Sequence, residues 1–183
     1  MKDVFYGLGL QYDSGSIPAV GLNRNGTVLE VHKNEAGFTL YYHVGTLNKA
    51  TVNWGPSRQY DTGSTPDVAL NANNVAVEVH KNELGSTLYY HVGTVQGDSV
   101  AWSASREYDS GITPAVALND GGVVVEVHKT QSPFSNGLYY HVGRVSGTSV
   151  NWGGSVQYDS GSAPKVAINN AGTVVEVHQS QAA

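Results

Sequence analysis

One unit is written over and over in this chain. The sequence Tyr-Asp-Ser/Thr-Gly recurs at Tyr12, Tyr60, Tyr108 and Tyr158, at intervals of 48, 48 and 50 residues. Each occurrence leads into Pro-x-Val-Ala/Gly-Leu/Ile-Asn and then into Glu-Val-His, and the first three copies continue with Leu-Tyr-Tyr-His-Val-Gly. A fixed period of this size marks a stacked or ring-shaped architecture, in which one unit cannot bury its apolar face alone.

Within a unit the pattern has period two. In Val28-Leu29-Glu30-Val31-His32 the set Val28, Glu30 and His32 points one way and Leu29 and Val31 the other, as on a pleated strand. Leu40, Tyr42 and Val44 share a face in the same manner, with Tyr41 and His43 opposite. The Asn- and Gly-rich segments 23–26, 71–74, 119–122 and 169–172 supply turn chemistry between the first two strands of each copy. Each unit therefore reads as short antiparallel strands around Trp54, Val68, Val77 and Leu88, the signature of a propeller blade. A β-trefoil closes with about three such units, and here a fourth Tyr-Asp-Ser-Gly and a fourth Glu-Val-His remain.

The expected fold is thus all-β: a single propeller domain over residues 1–183, with about four 48-residue, four-stranded blades and the last incomplete. Val4-Phe5-Tyr6-Gly7 takes the place of Val52-Asn53-Trp54-Gly55 in the first copy, and the sequence ends before a fourth Leu-Tyr-Tyr strand. An unpaired edge after Val177 and His178 predicts a homodimer or closure by residues 1–7. Segment 132–137 carries a two-residue insertion in the third copy and predicts a longer surface loop.

Composition removes several functions. With 15 acidic against 10 basic side chains and a formal charge of −5, the chain has no basic stripe, so nucleic acid is not an expected partner. Cysteine is absent, which excludes disulfides, thiol catalysis and thiolate metal sites. No run of apolar residues is long enough for a membrane helix, and Met1–Tyr6 shows no signal-peptide pattern.

Seven histidines occupy only two repeat positions: His32, His80, His128 and His178 end the second strand, and His43, His91 and His141 sit in the third. Glu30, Glu78, Glu126 and Glu176 lie two residues before the first group, hence on the same face. Such pairs can ligate zinc or shuttle protons, but a polar set recurring on one face most simply forms a hydrogen-bonded network. The expectation is a structural network with no metal and no cofactor.

Asp13, Asp61, Asp109 and Asp159 read first as caps of their turns. Trp54, Trp102 and Trp152 either fill the gaps between blades or meet a ligand, and one tyrosine of each Tyr-Tyr doublet, namely Tyr41, Tyr89 and Tyr139, shares the histidine face. A sugar has an apolar face and a polar rim, which aromatic rings flanked by Asn, Asp and His suit. The candidate ligand-binding set is therefore Trp54, Trp102, Trp152, Tyr41, Tyr89, Tyr139, Asp61, Asp109 and Asp159, with no catalytic residue. Repetition argues against an enzyme, because catalysis needs one asymmetric constellation, and favours weak sites made useful by multivalency.

Over its whole length, in repeat size, strand pattern and Trp/Tyr/Asn/Gly content, the chain resembles small repeat-propeller lectins such as the tachylectin-2-like and bacterial fucose-binding families. The resemblance implies a non-enzymatic, multivalent glycan binder acting outside the cell. The alternatives are a scaffold for protein partners, free-standing or excised from a larger protein, and an engineered or recently amplified repeat without an evolved ligand.

Overall fold

A computed structural model describes Gly7, residues 9–132 and residues 134–180. Among the described residues every regular element is a strand. The first sheet is a meander of β1 (Ser16–Leu22), β2 (Thr27–Lys33) and β3 (Thr39–Asn48), all antiparallel. Its outer position is shared end to end by β4 (Thr51–Trp54), which pairs the second half of β3, and β5 (Arg58–Thr62), which pairs the first half. The sheet is thus four strands deep, with a break at Gly55-Pro56-Ser57 in the outermost one.

The second sheet repeats this with β6 (Ser64–Leu70), β7 (Val75–Lys81), β8 (Thr87–Gln96), β9 (Ser99–Trp102) and β10 (Arg106–Ser110). The third uses β11 (Ile112–Leu118), β12 (Val123–Lys129), β13 (Gly137–Ser146), β14 (Ser149–Trp152) and the first half of β15 (Val156–Ile168). The second half of β15 pairs with β16 (Val174–Ser180) as the two described strands of a fourth sheet.

Pairing fixes what periodicity leaves open, namely where one unit ends. The sequence groups the Trp-bearing strand with the strands that follow it, whereas Trp54 pairs with Gly45 and so closes the sheet before it. The Tyr-Asp segment extends that outer strand, and Gly63 then carries the chain to the inner edge of the next sheet. A Cβ on Gly63 would stand 2.6 Å from His80 Cδ2 and 2.7 Å from the Lys81 carbonyl oxygen, so this glycine is required by close approach. Val4–Tyr6 lie outside the described residues. The expected longer loop is present: β12 and β13 are joined by residues 130–136, where 82–86 join β7 and β8.

Sheets pack face to face. Leu29, Val31, Tyr42 and Val44 of the first sheet meet Val68, Leu70, Ala76, Val95 and Val100 of the second in one core. Val77, Val79, Tyr90 and Val92 meet Val116, Val124 and Val150 in the next. At the two ends the equivalent faces are open: Val20 and Leu22 on β1 are 63% and 57% exposed, and Val175 and Val177 on β16 are 59% and 61% exposed. Of these, Val175 and Val177 belong to the strand whose edge the sequence expects to be paired.

Hydrogen bonds repeat across the seams as well. Asn23 Nδ2 donates to the Asn71 carbonyl at 3.1 Å, Asn71 Nδ2 to that of Asn119 at 3.4 Å, and Asn119 Nδ2 to that of Asn169 at 3.5 Å. Each asparagine Oδ1 meanwhile caps its own hairpin, as Asn71 does for the N–H groups of Asn73 and Val75. The second tyrosine of the first two doublets adds a bond, Tyr42 Oη accepting from Val100 N–H and Tyr90 Oη from Val150 N–H.

Candidate functional site

Register assembles the polar face. Glu78 lies opposite His91 and His80 opposite Tyr89 in the β7–β8 pair, so four chemically active side chains share one side of the hairpin. The same pairing holds for Glu30, His43, His32 and Tyr41 and for Glu126, His141, His128 and Tyr139. His80 and Glu78 are 1% and 0% exposed, so each must find its partners inside the protein.

Those partners are specific. Glu78 accepts from His80 Nδ1 at 3.0 Å and from the Tyr60 hydroxyl at 2.9 Å, which ties the motif tyrosine of one sheet to the next sheet. Glu126 holds His128 and Tyr108 in the same way, at 3.1 and 2.8 Å. His91 donates from Nδ1 to the Ser103 carbonyl at 2.8 Å, and its Nε2 lies 2.8 Å from Asp61 Oδ2. The other oxygen of Asp61 accepts the Thr62 N–H at 2.7 Å, so the expected turn contact exists and occupies only half of the carboxylate. Asp13 with His43 and Asp109 with His141 repeat the pairing at 2.7 Å each.

Burial and pairing set the charges. Asp13's carboxyl falls from the ordinary 3.8 to about 2, chiefly through its bond to His43. For Asp61 burial pushes the other way, but His91, the Thr62 N–H and nearby His80 outweigh it and hold the group at about 2. Burial likewise pulls the His91 imidazole down, and Asp61, Glu78 and the Ser103 carbonyl together raise it. Tyr60 and Tyr108 are pushed up by burial and then by Glu78 and Glu126.

These shifts give the metal-free protein a signed pH dependence. The carboxyls of Asp13 and Asp61 have folded values below the ordinary 3.8, so their stabilisation is present above that pH and fades as pH falls toward about 2. The raised His91 stabilises below its ordinary 6.5 and loses that contribution as pH climbs through its folded value. The urea midpoint is expected to be highest between those limits and to fall on both sides, and a midpoint that keeps rising above neutrality contradicts the His91 contribution.

Three rings pile up behind this network. Tyr89 stacks on His80 with centroids 5.8 Å apart, and His80 stacks on His91 at 5.7 Å. His91 in turn meets Trp102 edge-on at 5.9 Å. In front of the pile lies an open cleft of about 510 Å³ lined by Asp61, Thr62, His80, Asn82, Glu83, Leu84, Tyr89 and Ser105. The first copy forms a smaller version of about 200 Å³ from Asp13, Ser14, His32, Asn34, Glu35, Tyr41 and Ser57. In the third copy the positions of Asn82 and Glu83 are held by Thr130 and Gln131, beside the insertion.

The sequence-derived ligand set therefore divides. Tyr89 and Asp61 share the large cleft, and Tyr41 lines the first copy's cleft with Asp13. Tyr139 stacks on His128, which lies 3.6 Å from Asp109. Asp159 is more exposed, and its oxygen lies 3.7 Å from His178. The tryptophans stand elsewhere: Trp102 stacks on Tyr60 at 5.4 Å and Trp152 on Tyr108 at 5.4 Å, between sheets, while Trp54 stacks on Tyr12 at 4.9 Å. Sequence reasoning missed Asn82 and Glu83, at loop positions that become Thr130 and Gln131 in the third copy, and Ser105, which recurs as Ser57 and Ser155 in the break of the outer strand. It also missed the Asp–His contact, which joins residues about 30 positions apart.

Three donor groups are brought together by this geometry: Asp13, His32 and His43; Asp61, His80 and His91; and Asp109, His128 and His141, each with ligand atoms within 4.8 Å of one another. Two imidazoles and a carboxylate can hold a divalent cation or relay a proton.

No known protein-family profile matches the chain, and no curated protein does. Solved structures do. An α-L-arabinanase of Penicillium chrysogenum, solved in complex with arabinobiose, superposes with a TM-score of 0.54 at 12% identity, over 90% of this chain and 59% of that one. The fold is a β-propeller. The chain thus spans less than two thirds of its neighbour, and at this identity the likeness concerns architecture alone.

The neighbour corrects one expectation. Repetition was to exclude an enzyme and leave a non-enzymatic lectin, yet this architecture carries an arabinanase. The premise fails physically too, because the copies differ where the clefts open: glutamate at Glu35 and Glu83 becomes Gln131 in the third, so near-identical blades still present unlike sites.

Proposed function

We propose that this chain is a carbohydrate-active propeller whose repeated clefts receive sugar units, the second cleft foremost. The observation that carries this reading is the cleft bounded by the Tyr89 ring and by Asp61, Asn82, Glu83 and Ser105. An aromatic wall beside several acceptors and donors matches a sugar's apolar face and hydroxyl rim. Asp61 stays ionised across the physiological range, so it accepts from hydroxyls and does not donate to them. The arabinanase neighbour, complexed with arabinobiose, makes arabino-oligosaccharides the first sugars to try.

A second reading, cleavage of a glycosidic bond, is favoured by two carboxylates, Asp61 and Glu83, lining one cleft. Glycoside hydrolysis uses such a pair, one carboxyl ionised and the other supplying a proton, and Asp61 fits the ionised role. Calorimetry and release of reducing ends, run on the same panel of arabino-, xylo- and gluco-oligosaccharides, separate the readings. Tyr89→Ala is expected to weaken binding about tenfold, the size of a lost aromatic contact of roughly 1.5 kcal/mol. Glu83→Gln is expected to keep binding and to abolish any release of reducing ends. Absence of heat with every sugar, from protein shown to be folded, overturns the carbohydrate reading.

A further inference from the structure

We propose that the Asp–His–His group of each complete copy is a divalent-metal site of the zinc class, with an open coordination position toward the cleft. The proposal shares Asp61 and the cleft with the carbohydrate reading, but its test uses no sugar, so the two fail separately. It departs from the metal-free network expected from the sequence, because that expectation weighed only the Glu–His pairs, and the third donor comes from a strand of the neighbouring unit.

The second copy shows the arrangement most fully. His80 and His91 both present Nε2 to Asp61 Oδ2, at 3.6 and 2.8 Å. The opposite nitrogen of each ring is already committed. His80 Nδ1 is bonded to the Glu78 carboxylate, and His91 Nδ1 to the Ser103 carbonyl, which can only accept. Both rings are thereby fixed with the proton on Nδ1 and, when neutral, with the lone pair of Nε2 directed at the third donor. This is the outer shell that metal-bound histidines characteristically have, one ring tied to a carboxylate and the other to a backbone carbonyl.

Access and selectivity follow from the surroundings. Both histidines are buried, whereas the Asp61 side chain is 25% exposed and lines the 510 Å³ cleft together with His80, so an ion enters from that side and keeps room for water. Two imidazole nitrogens and one carboxylate oxygen suit zinc or cobalt. Calcium and magnesium prefer all-oxygen shells. Asp13, His32 and His43 repeat the geometry, as do Asp109, His128 and His141, each with the corresponding Glu30 or Glu126 behind the first ring. Within residues 1–183, Asp159 and His178 have no third-strand histidine beside them, so a chain of these residues carries an internal control.

The test is isothermal titration of the chelator-treated 183-residue chain with zinc, then cobalt and calcium, with circular dichroism verifying the fold. Three zinc ions per chain are expected, one for each complete group, with cobalt giving the visible absorption of a low-coordinate nitrogen–oxygen site and calcium giving no heat. Asp61→Asn, which keeps the side chain's shape, is expected to reduce the count by one, and His178→Ala to leave it unchanged. Absence of zinc uptake, a count unaffected by Asp61→Asn, or a preference for calcium overturns the proposal. Should Asp61→Asn lose its fold, the wild-type stoichiometry and the cobalt spectrum decide alone.

Discussion

Glu78→Ala is expected to cost about 3 to 5 kcal/mol, the loss typical of removing one partner from a buried charged pair. The side chain is fully buried, and it is the acceptor for two donors that have no water to turn to: the Tyr60 hydroxyl at 2.9 Å and His80 Nδ1 at 3.0 Å. Truncation leaves both donors stranded at once and opens a void beside the core between the first and second sheets. Because Tyr60 belongs to the first sheet and Glu78 to the second, the damage falls on the seam between them. Glu78→Gln keeps an acceptor oxygen and is expected to lose less. The measurement is the free energy of unfolding by urea, followed by tyrosine and tryptophan fluorescence together. A loss under about 1 kcal/mol would mean that solvent reaches the site and replaces the carboxylate.

Trp102→Ala is expected to be of similar size, about 3 to 5 kcal/mol, as for other large aromatic truncations. The indole stacks on Tyr60, meets Tyr42 edge-on at 5.9 Å and covers a strand where glycine leaves space for it. That glycine is Gly93, whose absent Cβ would lie 2.6 Å from Trp102 Cε3. Trp152 has the same surroundings in Tyr108, Tyr90 and Gly143, and its replacement is expected to cost as much. Trp54 stacks on Tyr12 and meets His43, with no counterpart of Tyr42 or Tyr90 beside it among the described residues, so Trp54→Ala is expected to cost less. Thermal melts of the three variants test the order. Equal losses would show that the tryptophans act within their own sheets and not across seams.

Much of this was legible in the residues themselves. Alternation placed Glu30, His32, Tyr41 and His43 on one face because the pleat has period two, and the observed register puts them there. The hairpin asparagines announced their turns because few other residues cap them as well, and Asn74 indeed takes a positive φ of 59°. Other features were out of reach. A periodic sequence defines its unit only up to a cyclic shift, so the strand carrying Trp54 could be assigned to either neighbour until hydrogen bonds placed it with the sheet before it. The Asp61–His91 contact joins strands of different sheets, and no local pattern encodes which distant ring an aspartate will meet. The positive φ of Ile17, Thr65 and Thr113 runs against the preference of β-branched residues and falls in the bulge that each proline-bearing strand carries between its first and fourth residues.

The asparagine ladder has a consequence for how such a chain changes length. Each rung runs from an amide to the carbonyl of the matching residue one unit on, from Asn23 to Asn71, from Asn71 to Asn119 and from Asn119 to Asn169. The first rung adds a bond from Asn23 to Asn74 Oδ1, where later units hold Gly122 and Gly172, but the amide-to-carbonyl bond itself is the same in each. Were residues 24–71 excised by recombination between look-alike segments, Asn23 would find the carbonyl of Asn119 where that of Asn71 had been, and the joint would close with the same amide-to-carbonyl bond. The seam is an unaddressed connector, which makes blade number a quantity that inheritance can add to or subtract from in whole steps, leaving each surviving joint as it was.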